Sequence, residues 1–181
     1  MINPGGSREP LTADPLIPAA ANPDVLGTPG FAVRFQQPVV NSAGPDVVLF
    51  ELQLIVHPES GDPFHVSPLR FGDNLRSHTI RSYDIDLSSP DAQMLAGFRL
   101  YKFDDSIRSL DRLLQATHNG GSEHLVRAKA IVASIDLSDL GYAPGTAVEG
   151  LFFQDALDDE NLLDPVFIAG LPALDDVEVR N

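Results

Sequence analysis

Residues 46–56 read DVVLFELQLIV, and this stretch decides the expected fold. Branched and aromatic residues dominate it, as is typical of a strand packed in a sheet. In a strand, side chains alternate between the two faces, so every second residue shares a face. The apolar residues that share one face here are Val48, Phe50, Leu52, Leu54 and Val56. We therefore predict a central β-strand.

Similar alternation recurs on both sides of this strand. A half-buried strand is expected from Phe31 to a stop at Pro38, and the turn 41–45 follows it. About eight strands separated by turn signals are typical of a two-sheet sandwich or jelly roll. The sequence therefore predicts a mainly all-β, antiparallel, two-sheet fold of jelly-roll type. The remaining predicted strands are 64–67, 76–86, 97–103, 125–135, 146–154 and 165–171.

One amphipathic helix is expected among these strands. Residues 104–106 (DDS) can cap a first helical turn, and Asn119-Gly120-Gly121 can end the helix. Between these signals, at 107–117, one apolar stripe recurs with helical spacing. Because one helix cannot supply the crossovers of a parallel sheet, it does not change the predicted class. The stripe consists of Ile107, Leu110, Leu113 and Leu114.

The first thirty residues differ from the rest of the chain in composition. Residues 1–30 contain six prolines, which forbids a regular helix and predicts an extended segment lying over the domain. Residues 31–181 are expected to form a single β-sandwich domain, because 181 residues is an ordinary length for one domain with a core.

Charge and cysteine content restrict the possible partners. The chain has 26 acidic and 12 basic residues, for a net charge of −14, which repels phosphate backbones and anionic lipids. Nucleic acid and membrane surfaces are therefore poor partners, and no apolar window of about 18 residues predicts a membrane span. The absence of cysteine excludes disulfides, thiolate metal sites and a cysteine nucleophile.

Acidic residues concentrate in the last third of the sequence. After Lys129 there are eleven acidic residues and one basic residue, Arg180. The densest run, residues 155–164, reads DALDDENLLD and lies between two predicted strands. Ca²⁺ prefers several hard oxygen ligands, which a loop can bring together. A calcium site using Asp155, Asp158 and Asp164 is one interpretation, and a solvated acidic loop is the other.

Two further carboxylates lie on or beside the central strand. Asp46 is either a turn residue that hydrogen-bonds its own loop or an additional metal ligand. Glu51 interrupts an apolar run, and a buried carboxylate needs a partner. It is expected to pair with Arg34 or Arg99, to face water, or to ligate an ion.

Sequence motifs for catalysis are missing. There is no G-x-S-x-G elbow, no P-loop, no dinucleotide fingerprint and no H-E-x-x-H zinc motif. His65 and His78 could meet across neighbouring strands, although histidines without a motif are usually structural. No catalytic residue is therefore assigned, and the protein is not expected to be an enzyme.

Five segments form a pattern in order along the chain, namely 24–30, 31–38, 44–51, 135–145 and 164–170. Together they resemble exported surface proteins of environmental bacteria of the PEP-CTERM-associated type. The resemblance implies a galactose-binding-like jelly roll, in which Asp46 and Glu51 match the acidic positions of a G-x-D-x-x-x-F-E element and Asp164 matches the acid near the last strand. The sequence departs from the pattern at residues 178–181, which read EVRN, so an apolar anchor of the PEP-CTERM kind is not expected there.

The resemblance also implies a function and a location. We expect a non-catalytic binding or adhesion module that is exported, periplasmic or at the cell surface, although residues 1–18 show no signal-peptide pattern. Carbohydrate is the expected ligand class, with another surface protein as a further possible partner and structural calcium as the expected cofactor. The alternatives are a polysaccharide-acting hydrolase using paired acidic loop residues, and a purely structural domain of a surface assembly.

Overall fold

The structure is a computed structural model that describes residues 5–15, 18–19, 22–26, 28–54, 61–100, 115, 124–157 and 166–171. These residues include ten β-strands. The strands are β1 Pro18–Ala19, β2 Asn22–Leu26, β3 Phe31–Val40, β4 Val47–Leu54, β5 Phe64–Pro68, β6 His78–Ile80, β7 Gln93–Leu100, β8 His124–Ile135, β9 Ala147–Asp155 and β10 Val166–Gly170.

Eight of these strands form two four-stranded sheets. The first sheet has the order β10-β4-β8-β7, and the second sheet has the order β3-β9-β5-β6. Every pairing within the two sheets is antiparallel, and β1 pairs with β2 separately. The mainly β fold with two antiparallel sheets, predicted from alternation, is confirmed.

The core lies between the two sheets. Leu49 of β4 and Ile135 of β8, both in the first sheet, belong to the same buried cluster as Phe64 of β5 and Phe153 of β9 in the second sheet. All four side chains are at most 1% exposed, which gives each a full hydrophobic contribution to stability. The described part of the chain is therefore a sandwich-like, two-layer structure.

The central strand is confirmed, but its inward face is not the one that carries the predicted apolar series. Leu49 and Glu51 are completely buried, whereas Val48 and Phe50 are only half-buried. Because β4 is apolar on both faces, alternation alone could not tell which face meets the other sheet. The pairing of Glu51 with Ile131 of β8 places the carboxylate inside the sandwich.

Some element boundaries differ from the prediction. Strand β3 continues through Pro38 to Val40, and its pairing with β9 is irregular between Arg34 and Val39, where proline has no N–H to donate. Of the predicted strand 76–86, only β6 forms a continuous strand. The predicted helix 107–117 lies outside the described residues except for residue 115, which is helical.

Residues 5–15, here called the N-terminal arm, run along the second sheet. Strand β9 extends past the first residue of β3, which pairs with Phe153. Gly5 and Ser7 pair with the part of β9 that β3 does not reach. The Asp155 amide donates to the Gly5 carbonyl at 3.4 Å, and the Ser7 amide donates to the Asp155 carbonyl at 3.0 Å. The arm then crosses the outer face of β5.

Candidate functional site

A cleft of about 780 Å³ opens on the outer side of the second sheet. Its walls come from the N-terminal arm, from the start of β9 and from two loops, and they combine charged, aromatic and aliphatic side chains. Concave sites of this size with a few polar groups are typical of ligand-binding sites. The lining residues are Asp14, Arg34, Leu69, Arg70, Leu75, Tyr142, Ala147, Val148, Glu149 and Gly150.

The floor of the cleft depends on a glycine. Gly150 of β9 pairs with Arg34 of β3. A Cβ atom at position 150 would overlap the Val33 carbonyl oxygen and would lie 2.9 Å from Cδ1 of Leu69. Only glycine therefore allows the backbone of β3 and the Leu69 side chain to approach β9 this closely.

Two loops form the side walls and are fixed to each other. The loop 69–76 carries Arg70 and Leu75, and the loop 136–146 carries Tyr142. The Arg76 amide donates to the Leu140 carbonyl at 3.0 Å. Gly141 has a positive φ of 89°, and a Cβ there would overlap the Asn74 carbonyl oxygen. The loops can therefore meet backbone to backbone.

Asn41 holds the loop that carries Tyr142. Its side-chain amide donates to the Tyr142 carbonyl at 2.8 Å, and its side-chain oxygen accepts from the Ser138 hydroxyl at 3.2 Å. Its backbone carbonyl accepts from the Gly145 amide at 2.8 Å. From the sequence, Asn41 was expected only as part of the turn 41–45. The turn signal located it, but partners about a hundred positions away were not visible in the sequence.

Asp46 also holds the loop 136–146, which carries Tyr142. Its Oδ2 accepts from the Leu137 amide at 3.0 Å, and its Oδ1 accepts from the amide and the hydroxyl of Ser42 at 2.8 and 2.9 Å. Asp46 is 1% exposed, so these bonds replace its hydration. The structure places Asp46 in the loop-holding role, which was one of its two interpretations.

The charges of the cleft are available to a ligand. Among the described residues, the one ion pair within 4.0 Å joins His78 and Asp139, and neither of these lines the cleft. Arg34 and Arg70 are therefore not neutralised by a carboxylate of the cleft. Both arginines are exposed, as is Glu149. Asp14 is partly engaged, since its Oδ1 accepts from the Phe71 amide at 2.7 Å.

Tyr142 adds an aromatic surface to these charges. It is half-buried and packs against the apolar core. Burial raises the pKa of its hydroxyl above the ordinary value of 10.0, so the group stays neutral at physiological pH and can donate a hydrogen bond. The cleft can therefore provide an amphipathic ring, guanidinium donors and carboxylate acceptors to one ligand.

Glu51 occupies a different region, at the end of the sandwich remote from Asp46. Its Oε2 accepts hydrogen bonds from the Tyr83 hydroxyl and, at 3.3 Å, from the Asp62 amide. Tyr83 Oη also lies 3.1 Å from the Asp62 carbonyl oxygen. Arg34, one of the two arginines expected to pair with Glu51, lines the cleft instead. The side chain of the other, Arg99, lies outside the described residues.

Asp155 lies at the same end of the sandwich as Glu51. It pairs with Phe64, and its Oδ1 accepts from the Leu157 amide at 2.6 Å. The neighbouring Ala156 amide donates to the Pro63 carbonyl, next to Asp62. The acidic run therefore leaves β9 beside Asp62, and the chain returns in β10, where Val166 pairs with Glu51.

The predicted calcium ligands are thus divided. Glu51 and Asp155 lie at one end, Asp46 lies at the other, and Asp158 and Asp164 are outside the described residues. Asp46 and Glu51 are five residues apart on one strand, about 16 Å, too far to ligate one ion together. No three His, Asp or Glu side chains within the described ranges are grouped so that they could hold a metal ion.

His65 and His78 do not meet. Thr79 pairs with His65 and Val66 pairs with His78, so the two rings lie on opposite faces of the sheet. His65 is 1% exposed and donates from Nε2 to the Ser7 carbonyl at 3.0 Å, while Nδ1 accepts from the Thr79 hydroxyl at 2.8 Å. Burial lowers the pKa of His65 below 6.5, and the hydrogen bond to Ser7 opposes that shift.

In the portion of the chain that the structure describes, no helix has the length and hydropathy needed to cross a bilayer.

Comparison with known proteins found no relative of this chain. No protein-family model, no curated protein and no solved structure matches the chain.

Proposed function

We propose that the chain is a non-catalytic binding module of an exported or cell-surface protein and that the cleft takes part of a carbohydrate. The observation that carries this proposal is the combination, in one cleft, of Tyr142 with the unpaired guanidinium groups of Arg34 and Arg70. Carbohydrate is also the ligand class expected from the sequence, where the cleft played no part.

The chemistry of the lining suits a sugar ring. A sugar presents several hydroxyl groups around an edge and a less polar face formed by C–H bonds. Planar guanidinium and carboxylate groups can bridge neighbouring hydroxyls, and an aromatic side chain can cover the apolar face. Arg34, Arg70 and Glu149 supply the first kind of contact, and Tyr142 supplies the second.

The order of the strands supports the finer assignment to a jelly-roll, galactose-binding-like sandwich. Of the seven connections from β3 to β10, five pass from one sheet to the other, and only β5–β6 and β7–β8 join neighbours of the same sheet. Repeated passage between two antiparallel sheets is a property of jelly rolls. This likeness to a jelly roll is part of the proposal.

A structural calcium bound by Asp155 with Asp158 and Asp164 is the second part of the proposal. It is supported by the positions of Asp155, where the acidic run begins, and of Val166, which follows the run and pairs with Glu51 at the same end of the sandwich. The calcium would tie the run to the ends of β9 and β10, far from the wall of the cleft that Asp46 holds.

Glycan binding by the intact chain tests the function. We would titrate it with neutral and acidic oligosaccharides in a calorimeter and repeat the titration with Arg34→Ala and Arg70→Ala. The affinity should fall at least tenfold in both variants, with the melting temperature unchanged, because both side chains are exposed and unpaired. Arg81→Ala removes an exposed arginine outside the cleft and is the matched control.

The outcomes separate the three candidate functions. Binding that survives both cleft substitutions, or no binding to any oligosaccharide, would contradict the proposal. Shortened oligosaccharides in the reaction mixture would indicate the hydrolase instead, which was predicted to use paired residues of the acidic loop 155–164. Asp14 and Glu149, the carboxylates that line the cleft, would be replaced as a second pair. A chain that binds no glycan but joins a larger assembly would indicate the structural domain.

A further inference from the structure

The outer face of the second sheet is buried and carries a row of polar side chains beside one aromatic ring, Phe152, which pairs with Ser67. Gln154 of β9 pairs with His65 of β5, which pairs with Thr79 of β6, so three polar side chains cross the sheet in one row. Ser67, on the same face of β5, lies 2.7 Å from the Ser77 hydroxyl. His65, Ser67 and Gln154 are each at most 1% exposed.

The N-terminal arm covers this row and is held through its main chain. His65 donates to the Ser7 carbonyl at 3.0 Å, and the Ser77 hydroxyl donates to the Leu11 carbonyl at 2.5 Å. Together with the ladder-type bonds between Gly5, Ser7 and Asp155, these contacts hold the arm by its backbone along a path that bends at residues 8–9 and 12–13. The mode is that of a peptide bound on a sheet, with its own chain as the occupant.

One position of the arm, residue 6, has room for glycine alone. The Gly6 backbone approaches Asp155 so closely that a Cβ at position 6 would overlap the Asp155 carbonyl oxygen and lie 2.8 Å from the Asp155 Cβ. By contrast, the side chains of Arg8, Glu9 and Thr12 are exposed. The face therefore selects glycine at position 6 and tolerates variation at the exposed positions of the arm.

The arm is held weakly compared with the strands beneath it. Among residues 5–15 only Pro15 is buried, so little apolar surface keeps the arm in place. The polar groups beneath it can be hydrated when the arm leaves, because His65, Ser67 and Gln154 offer imidazole, hydroxyl and amide groups to water. Gln154 Oε1 is buried without a hydrogen-bond partner, and water would satisfy it once the cover lifts.

From these contacts we propose that the polar outer face of the second sheet is an exchangeable peptide-binding site, and that residues 5–15 of a second copy of this chain occupy it in an arm-exchanged dimer. The arm is joined to β3 through a proline-rich connection, residues 15–29, with prolines at 15, 18, 23 and 29. An arm that detaches as a unit can reach the same face of a neighbouring copy and make the same bonds there.

The test uses the full chain with Gly6→Val, which should displace its own arm and leave the face vacant. A synthetic peptide of residues 1–15 with a fluorophore at its carboxyl end is the probe, and fluorescence anisotropy is the readout. We expect saturable binding to the variant and at least tenfold weaker binding to the wild-type chain, whose own arm competes.

Two altered peptides are matched controls. A peptide with Gly6→Val should bind at least tenfold more weakly, because the added side chain overlaps Asp155, whereas a peptide with Arg8→Ala should bind equally well, because Arg8 is exposed. Absence of saturable binding to the folded variant, or equal binding of all three peptides, would overturn the proposal.

Two measurements on the wild-type chain keep the proposal testable where Gly6→Val does not fold. The amides of Ser7 and Phe71 each make a hydrogen bond between the arm and the rest of the chain, whereas Leu49 and Ala133 pair within the core of the first sheet. Hydrogen exchange should be at least tenfold faster at the first two amides than at the last two. Exchange as slow as in the core would overturn the proposal. Light scattering should show a dimer that grows with concentration, and peptide binding without such a dimer would exclude a second copy as the occupant.

Discussion

Strand β5 is buried on both faces, but the two faces have opposite chemistry. Towards the core it presents Phe64 and Val66, which pack with Phe153 and the other sheet. Towards the arm it presents His65 and Ser67, which form hydrogen bonds. Equal burial therefore has two different causes within one strand of five residues.

The two faces differ in how strongly they contribute to stability. A large apolar side chain in the core contributes through many non-directional contacts, and its loss leaves a cavity. A neutral hydrogen bond contributes only about 0.5–1.5 kcal/mol, because water offers a competing partner. The inner face should therefore determine global unfolding, and the outer face should determine local opening.

The largest effect is expected on the inner face. Phe153→Ala should lower the free energy of unfolding by about 3–5 kcal/mol, because Phe153 is completely buried and stacks on Phe31 with ring centroids 5.4 Å apart. Urea denaturation followed by circular dichroism measures this change. Thr12→Ala, an exposed substitution in the arm, is the control. Similar losses in the two variants would contradict the comparison.

A second large effect is expected at the end of the sandwich, where neither face of β5 is involved. Calcium at about one hundred times its dissociation constant would stabilise the fold by about 2.7 kcal/mol, and EDTA should remove that contribution. Thermal melting with and without EDTA measures it, with Asp155→Asn as the variant that should no longer respond. An unchanged midpoint, with no calcium by elemental analysis, would remove the metal from the proposal.

A smaller effect is expected on the outer face. Ser67→Ala removes one hydrogen bond to Ser77, and the Ser77 hydroxyl keeps its bond to the Leu11 carbonyl. The free energy of unfolding should fall by about 1 kcal/mol. Hydrogen exchange at Ser7 should also become faster, while the core amides should be unaffected. A loss as large as that of Phe153→Ala would show that the two faces are not independent.

The smallest effect is a pH dependence that belongs to the outer face. Burial lowers the pKa of His65, so the native state binds its proton at a lower pH than the unfolded state, whose pKa is about 6.5. The stabilisation is complete above that value and is lost as the pH falls through it towards the native pKa. The melting temperature should decrease from pH 7 to pH 5 more steeply in the wild-type chain than in His65→Asn. Parallel slopes would assign the dependence to other groups.

Sequence alternation predicted most of the described strands, because an antiparallel sheet with a core on one side imposes a period of two on its side chains. It failed to orient β4 because Leu49 and Phe50 are both apolar and neighbour each other on opposite faces. The burial of Glu51 became understandable only with Tyr83, which lies 32 residues away along the chain.

The cleft could not be predicted in the same way. Arg34, Arg70 and Tyr142 come from three separate segments, and each would be an ordinary surface residue if considered alone. What brings them together is a set of hydrogen bonds between distant segments, such as those that the side chain and the carbonyl of Asn41 make to the loop 136–146. Contacts of this kind leave no periodic signal, so sequence reasoning could recognise the turn at residues 41–45 but not the wall it supports.

The close contact of Gly141 with Asn74 has a thermodynamic consequence for the cleft. Because two backbones touch there, the opening between the two loops has a fixed width before any ligand arrives. A ligand would then lose its own conformational freedom on binding but would not have to order these two loops. Affinity at this opening should therefore vary steeply with the shape of the ligand, so that ligands of closely related shape are distinguished by fit.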